Sequence, residues 1–96
     1  MKVVTLCGSM RFVREMQEIA IELETKHGYC VITPISGTNM TLSEEEIESL
    51  GKAHYKKIDI ADAVYIVNIG GYIGKSVSEE LCYARKHNKE IIFHEV

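Results

Sequence analysis

Two glutamates near the start of the last predicted helix are the clearest candidates for chemistry. Glu79 lies three residues after Ser76, which is the spacing of a capping box, so we expect its carboxylate to cap the helix. Glu80 lies three residues after Val77 and four before Ala84, so a helix turns it toward the apolar side. A carboxylate there costs free energy unless it is hydrogen-bonded or used, and the helix dipole favours its ionised form. We therefore expect Glu80 to act as a nucleophile or a general base, and the alternative is a structural ion pair.

His54 is a second candidate, on the apolar face of the preceding predicted helix between Leu50 and Ile58. One interpretation is a core histidine that bonds to a backbone carbonyl. The other is a side chain that reaches the ligand site and binds a sugar hydroxyl or a base. The spacing alone leaves both interpretations open.

Two glycine-containing turns carry groups that suit an anion or a base. The turn from Gly8 to Arg11 offers backbone N–H groups, the Ser9 hydroxyl and a guanidinium, although a plain helix cap has the same composition. The turn from Gly70 to Ser76 allows the backbone to approach a ligand closely, and its Tyr72 is either a stacking surface for a base or a surface aromatic. A P-loop is not expected here, because the first glycine of that motif would fall on Ile69.

The elements that position these residues are four predicted strands and three predicted helices in alternation. The strands are predicted at residues 2–7, 29–33, 62–68 and 90–94, and the helices at residues 10–27, 43–61 and 76–87. This order predicts a parallel sheet with right-handed crossovers, and thus a small three-layer α/β domain of the Rossmann-like or flavodoxin-like kind. Ligands of such sheets bind beyond the carboxyl ends of the strands, where both turns lie. A capping box is predicted at Ser43 and Glu46, and a loop from Ile35 to Thr41.

Composition narrows the classes of function. With 96 residues, 46% of them hydrophobic, residues 1–96 are expected to form a single domain whose modest core would gain from association. A net charge of -3 without a basic cluster argues against a nucleic-acid polymer as partner. The three cysteines have no metal-site spacing, so we expect no metal, and free thiols indicate a cytoplasmic protein. No apolar run approaches the roughly 18 residues of a membrane span.

Three segments together resemble the nucleoside 2-deoxyribosyltransferase family. They are Cys7-Gly8-Ser9-Met10-Arg11 after the first strand, Ala61-Asp62-Ala63-Val64 at the third, and Glu80-Leu81-Cys82-Tyr83-Ala84 after the glycine-containing turn. Within that family the chain is most similar to the 2'-deoxynucleoside 5'-phosphate N-hydrolases. The segments follow the family's order over most of the chain.

The resemblance implies cleavage or transfer at the N-glycosidic bond of a nucleoside or nucleoside 5'-monophosphate, without a cofactor. Glu80 matches the glutamate that attacks C1' of the sugar, and His54 occupies the place of an aspartate that contacts the sugar. A neighbouring subunit commonly completes the site in this family, so a homodimer or higher homo-oligomer is expected. The residues implicated in binding the sugar, base or phosphate are Gly8, Ser9, Arg11, Gly71, Tyr72, Gly74, Ser76 and Ser78.

Two alternatives stay open at this point. One is a non-catalytic nucleotide-binding module that has the crevice without the full machinery, which His54 in place of an aspartate favours. The other is a phosphoribohydrolase that resembles the cytokinin-activating enzymes, suggested by Gly70-Gly71-Tyr72 ahead of a glutamate-bearing helix. Both have a nucleotide as their small-molecule partner.

Overall fold

A computed structural model of the chain describes residues 1–35 and 40–96, in which four strands alternate with three helices as predicted. The strands are β1 (Val3–Gly8), β2 (Cys30–Ile32), β3 (Ala63–Val67) and β4 (Glu90–Phe93). The helices are α1 (Val13–Lys26), α2 (Glu44–Ile60) and α3 (Lys75–Lys86). Single 3-10 turns, Met10–Phe12 and Ile69–Gly71, follow β1 and β3. In the described ranges no helix has the length and apolar character needed to cross a membrane.

The four strands form one parallel sheet in the order β2-β1-β3-β4. The predicted α/β class is therefore confirmed, and the topology is flavodoxin-like. β1 leads outward to β2 and β3 leads outward to β4 in the other direction, so the strand order reverses between β1 and β3. Ligands of open α/β sheets bind at such a reversal.

The core has two parts because successive side chains of a strand point to opposite faces of the sheet. On one face α1 packs over β1 and β3, and on the other α2 and α3 pack over the same strands. The buried residues on the α1 face are Leu6, Phe12, Met16, Ile19, Leu23 and Val67. Those on the α2 and α3 face are Cys7, Ile58, Val64, Ile66, Val77, Leu81 and Ala84.

The apolar face of α2 is divided between the core and a pocket. Ile58 is fully buried as its spacing predicts, and so is Ala61 just after the helix. Ile47, about three turns nearer the start, is 58% exposed and lines a pocket together with Leu50. The apolar face of α2 therefore enters the core only in the second half of the helix, and its first half lines the pocket.

The two predicted capping boxes have different outcomes. Ser43 accepts a hydrogen bond from the Glu46 backbone N–H at 3.1 Å, and the Glu46 carboxylate accepts one from the Ser43 N–H at 2.9 Å, so the first box is confirmed. The second, at Ser76 and Glu79, was wrong. α3 begins earlier, with Gly74 as its N-cap residue, so Ser76 lies inside the first turn and its hydroxyl is directed elsewhere. The predicted loop from Ile35 to Thr41 lies partly outside the described residues.

Gly8 allows the close packing of β1 against its neighbours. An added Cβ would lie 2.8 Å from Met16 Sδ and 3.0 Å from Val67 Cβ, and Val67 sits on a central strand that has no room to move. We expect Gly8→Ala to lower the free energy of unfolding by about 1 to 3 kcal/mol through overpacking. Urea unfolding followed by circular dichroism measures the change.

Gly51→Ala provides the matched control, since a Cβ at this position in α2 meets no atom within 4 Å. We expect it to raise stability by about 0.5 to 1 kcal/mol through helix propensity alone. Equal effects of the two substitutions would contradict the packing described for Gly8.

Candidate active site

The carboxyl ends of β1 and β3 create a crevice at the reversal of strand order. Gly8, the last residue of β1, is paired with Val67, the last of β3. From these ends the chain passes to α1 on one face of the sheet and to α3 on the other. A pocket of about 480 Å³, lined by both turns and by α2, lies at this point. Its volume is within the range of small-molecule sites.

Glu80 lies at this pocket with its carboxylate fixed at both oxygens. Its side chain is 12% exposed, and Oε1 lies 3.1 Å from His54 Nε2 while Oε2 accepts a hydrogen bond from the Ser76 hydroxyl at 3.1 Å. Glu80 belongs to the first half of α3, whose amino-terminal end favours negative charge. Among the described residues that line the pocket, Glu80 alone is acidic. The arrangement holds one oriented carboxylate where a ligand can reach it.

His54 reaches this carboxylate from α2, with a side chain that is 11% exposed. Its Nε2 faces Glu80 and also lies 3.6 Å from Cys7 Sγ, whereas Nδ1 is buried without a hydrogen-bond partner in residues 1–35 and 40–96. A ring proton therefore belongs on Nε2, where Glu80 accepts it. His54 thus reaches the pocket, and within the described part of the chain neither ring nitrogen bonds to a backbone carbonyl.

Cys7 completes a cluster of three polar side chains beneath the pocket. It is fully buried at the end of β1. Burial is the main reason that the pKa of the Cys7 thiol is raised, and the charge of Glu80 and a hydrogen bond to it act in the same direction. The thiol is therefore neutral near pH 7. Its sulfur, His54 Nε2 and a Glu80 oxygen all lie within 4.8 Å of one another, so these residues are also those that can hold a metal ion.

The mouth of the pocket combines apolar side chains with two lysines. Ile35, Ile47 and Leu50 form apolar lining, and Lys57 and Lys75 add positive charge. Lys57 Nζ donates to the Thr33 carbonyl at 3.2 Å. Such a lining suits a ligand that has both an apolar part and a negative charge.

Most of the sequence-predicted site residues meet at this pocket. Those that line it are Gly8, Ser9, His54, Tyr72, Gly74, Ser76 and Glu80. Three others do not line it, namely Arg11, Gly71 and Ser78.

The three outlying residues have separate surroundings. The Arg11 guanidinium lies 3.8 Å from the centre of the Tyr72 ring, so it acts on the pocket through that ring. Gly71 has a φ of 78°, a left-handed conformation that glycine adopts without strain, in the turn after β3. Ser78 lies on another side of α3, at a shallow depression that it shares with Tyr55 and Tyr83.

Sequence reasoning missed Cys7, Lys57 and Lys75 as site residues. Lys57 follows His54 by three positions on α2, so helical spacing is a signal that places it on the same side. Lys75 is in the first turn of α3 beside Ser76. Cys7 is adjacent to Gly8 at the end of β1, but its contact with His54 and Glu80 has no signal in the sequence.

Compared with known proteins, the chain matches no protein-family model and no curated protein sequence. The resemblance to the deoxyribosyltransferases therefore stays a prediction from the three segments.

The burial of Cys7 predicts its reactivity. Cys30 and Cys82 are exposed while Cys7 is buried and neutral, so we expect a thiol reagent to modify two cysteines rapidly and the third only after unfolding. Absorbance of the released chromophore, recorded with chelator present to remove metal ions, gives the count. Three equally fast thiols in the folded protein would contradict the described position of Cys7.

Proposed function

We propose that the chain cleaves the N-glycosidic bond of a nucleoside or nucleoside 5'-monophosphate, with Glu80 as the nucleophile. The observation that carries this proposal is the one carboxylate among the described pocket residues, which His54 and Ser76 fix beside the turn after β1. The resemblance of the segment around Glu80 to the deoxyribosyltransferases selects the same residue. A carboxylate nucleophile is a known solution for glycosidic cleavage with a covalent intermediate.

In the first step the Glu80 carboxylate attacks C1' of the sugar, the bond from C1' to the base nitrogen breaks, and its electron pair leaves with the base. The base takes up a proton from water. A water molecule then attacks C1', gives up a proton, and releases the sugar with the Glu80 carboxylate restored. The net reaction consumes one water. Hydrolysis needs no second carboxylate in this scheme, in agreement with the lining of the pocket.

His54 and Ser76 act on Glu80 as positioning groups in this proposal. Each donates to a different oxygen, so the carboxylate plane is fixed relative to the pocket. Orientation of a nucleophile toward a bound substrate is a large part of catalysis, and a misplacement of about 1 Å can cost about a hundredfold in rate.

The rest of the pocket fits the parts of a nucleotide. The first turn of α3, with Lys75 and the free backbone N–H groups after Gly74, supports binding of a 5'-phosphate. Ile47 and Leu50 offer apolar contact to a base. Tyr72 contacts Arg11 through its ring and Phe12 at a ring-centroid distance of 6.0 Å, and it forms a wall of the site.

The substrate class is tested by incubating the protein with deoxy- and ribonucleosides and their 5'-monophosphates and measuring free base by chromatography. Release from deoxynucleoside monophosphates alone supports the N-hydrolase resemblance, and release from ribonucleotides supports the phosphoribohydrolase alternative. Nucleotide binding measured by calorimetry, without release of base from any compound, would contradict the enzyme and support the non-catalytic binding module. A second base added to the reaction distinguishes transfer from hydrolysis.

Glu80→Gln is expected to lower the rate of base release by at least about a thousandfold, because the amide keeps the volume but is not a nucleophile. Glu79→Gln is the matched control, since the neighbouring glutamate is exposed on the same helix and the charge change is identical. We expect the control to release base at the wild-type rate. Equal loss in both variants would contradict the assignment of Glu80.

Ser76→Ala is expected to lower the rate by about 10- to 100-fold, because a hydrogen bond to a charged group is worth about 1.5 to 3 kcal/mol. Ser78→Ala is the comparison, since Ser78 lies outside the pocket. Initial rates of base release measure both variants. A larger loss at Ser78 than at Ser76 would contradict the position of the site.

A further inference from the structure

Three side chains with metal-binding atoms converge beneath the pocket from three separate elements. Cys7 comes from the end of β1, His54 from α2 and Glu80 from α3. Cys7 is 0% exposed, and the His54 and Glu80 side chains are 11% and 12% exposed. Each offers one donor atom, and the three atoms lie within 4.8 Å of one another.

Two of the three separations between donors are close to those around one small cation. Zinc is tetrahedral, with Zn–S of about 2.3 Å and Zn–N and Zn–O of about 2.0 to 2.2 Å, so its donor atoms lie about 3.3 to 3.6 Å apart. Cys7 Sγ is 3.6 Å from His54 Nε2, and His54 Nε2 is 3.1 Å from Glu80 Oε1. The third separation, between Cys7 Sγ and a Glu80 oxygen, is within 4.8 Å, so a cation would draw these two donors together.

We propose that Cys7, His54 and Glu80 bind a divalent cation of the zinc type, with a fourth coordination position open to the pocket. Sulfur and imidazole donors select zinc-like ions over Mg²⁺ or Ca²⁺, which require oxygen. Three protein ligands with one open position are typical of reactive zinc sites, whereas structural sites have four.

Charge and proton balance are satisfied at this site. On binding, the Cys7 thiol releases one proton to solvent, so a thiolate and the Glu80 carboxylate neutralise the two positive charges. The His54 ring proton moves from Nε2 to Nδ1, which has no partner in the described part of the chain. Ser76 remains bonded to the other Glu80 oxygen and can orient the carboxylate as a ligand.

The cation regulates the site because it coordinates Glu80, the nucleophile of the proposed reaction. This consequence rests on the proposed function. A Glu80 oxygen that coordinates metal is not available to attack C1', so bound Zn²⁺ inhibits base release and a chelator restores it. Cation binding itself does not depend on that activity. The two claims therefore fail separately.

The experiment titrates the chelator-treated full chain with Co²⁺, which substitutes for zinc and has visible absorption. We expect saturation at one equivalent, a tetrahedral spectrum with a thiolate-to-cobalt charge-transfer band, and loss of the spectrum when Zn²⁺ is added. Absence of saturable binding, or saturation without the charge-transfer band, overturns the proposal whatever the protein does to nucleotides.

Variants assign the ligands. Cys7→Ser is expected to abolish the charge-transfer band, and Glu80→Gln to weaken Co²⁺ binding by at least about tenfold. The double variant Cys30→Ser and Cys82→Ser changes only exposed thiols and is expected to retain the band, so it assigns the sulfur even if Cys7→Ser does not fold. Loss of the band in the double variant overturns the assignment.

Activity measurements separate the regulatory part from the proposed function. If base release occurs and equimolar Zn²⁺ lowers it at least about tenfold in the wild type, inhibition through Glu80 is supported. If base release occurs and the Co²⁺-loaded protein is fully active, the regulatory part is overturned. If no nucleotide is cleaved, the proposed function fails while the cobalt titration still decides the cation site.

Discussion

The pairing of β1 with β3 is the constraint on which the site depends. Their register places Cys7 opposite Ile66 and Gly8 opposite Val67. Because the side-chain period of a strand is two, a slip of one residue would turn Cys7 to the α1 face and Leu6 to the face of α2 and α3. In the observed register Leu6 packs under α1 and Cys7 meets His54 and Glu80. The register of this central strand thus determines whether Cys7 faces His54 and Glu80, and with it the composition of the site.

Polar contacts outside the pocket hold α2 where His54 can reach Glu80. The Thr5 hydroxyl donates to the Lys57 carbonyl at 2.8 Å, and Lys89 Nζ donates to the carbonyls of Asp59 and Ala61, each at 2.8 Å. These bonds join the last turn of α2 to β1 and to the segment before β4. With Ile58 fully buried next to them, the carboxyl-terminal half of α2 is fixed to the sheet. The amino-terminal half, which carries Ile47, extends beyond it and forms a wall of the pocket.

The sequence predicted the elements and much of the pocket because those depend on local pattern. Apolar spacing located the three helices, strand order placed the two turns at one sheet edge, and helical geometry separated Glu80 from Glu79. The first residue of α3 was harder to predict from the sequence, because a serine and a glutamate three residues apart fit a capping box as well as they fit an interior first turn. The contacts among Cys7, His54 and Glu80 could not be predicted from local sequence pattern, because they form only when three elements distant in sequence pack together. Association into a homo-oligomer stays a prediction.

Glu80 is the nucleophile in one proposal and a metal ligand in the other. The protonation state of the Cys7 thiol differs between the two. A carboxylate has about four lone-pair sites, and the donors at His54 and Ser76 use two of them, so a site remains for the proposed attack on a substrate even where the Cys7 thiol also donates. A neutral thiol is therefore compatible with an oriented nucleophile. Loss of its proton would place two negative charges side by side in a buried site, which is costly unless a cation lies between them. The charges of the three side chains thus agree with each of the two proposals, a metal-free protein in which Glu80 is the nucleophile and a metal-bound protein in which Glu80 is a ligand.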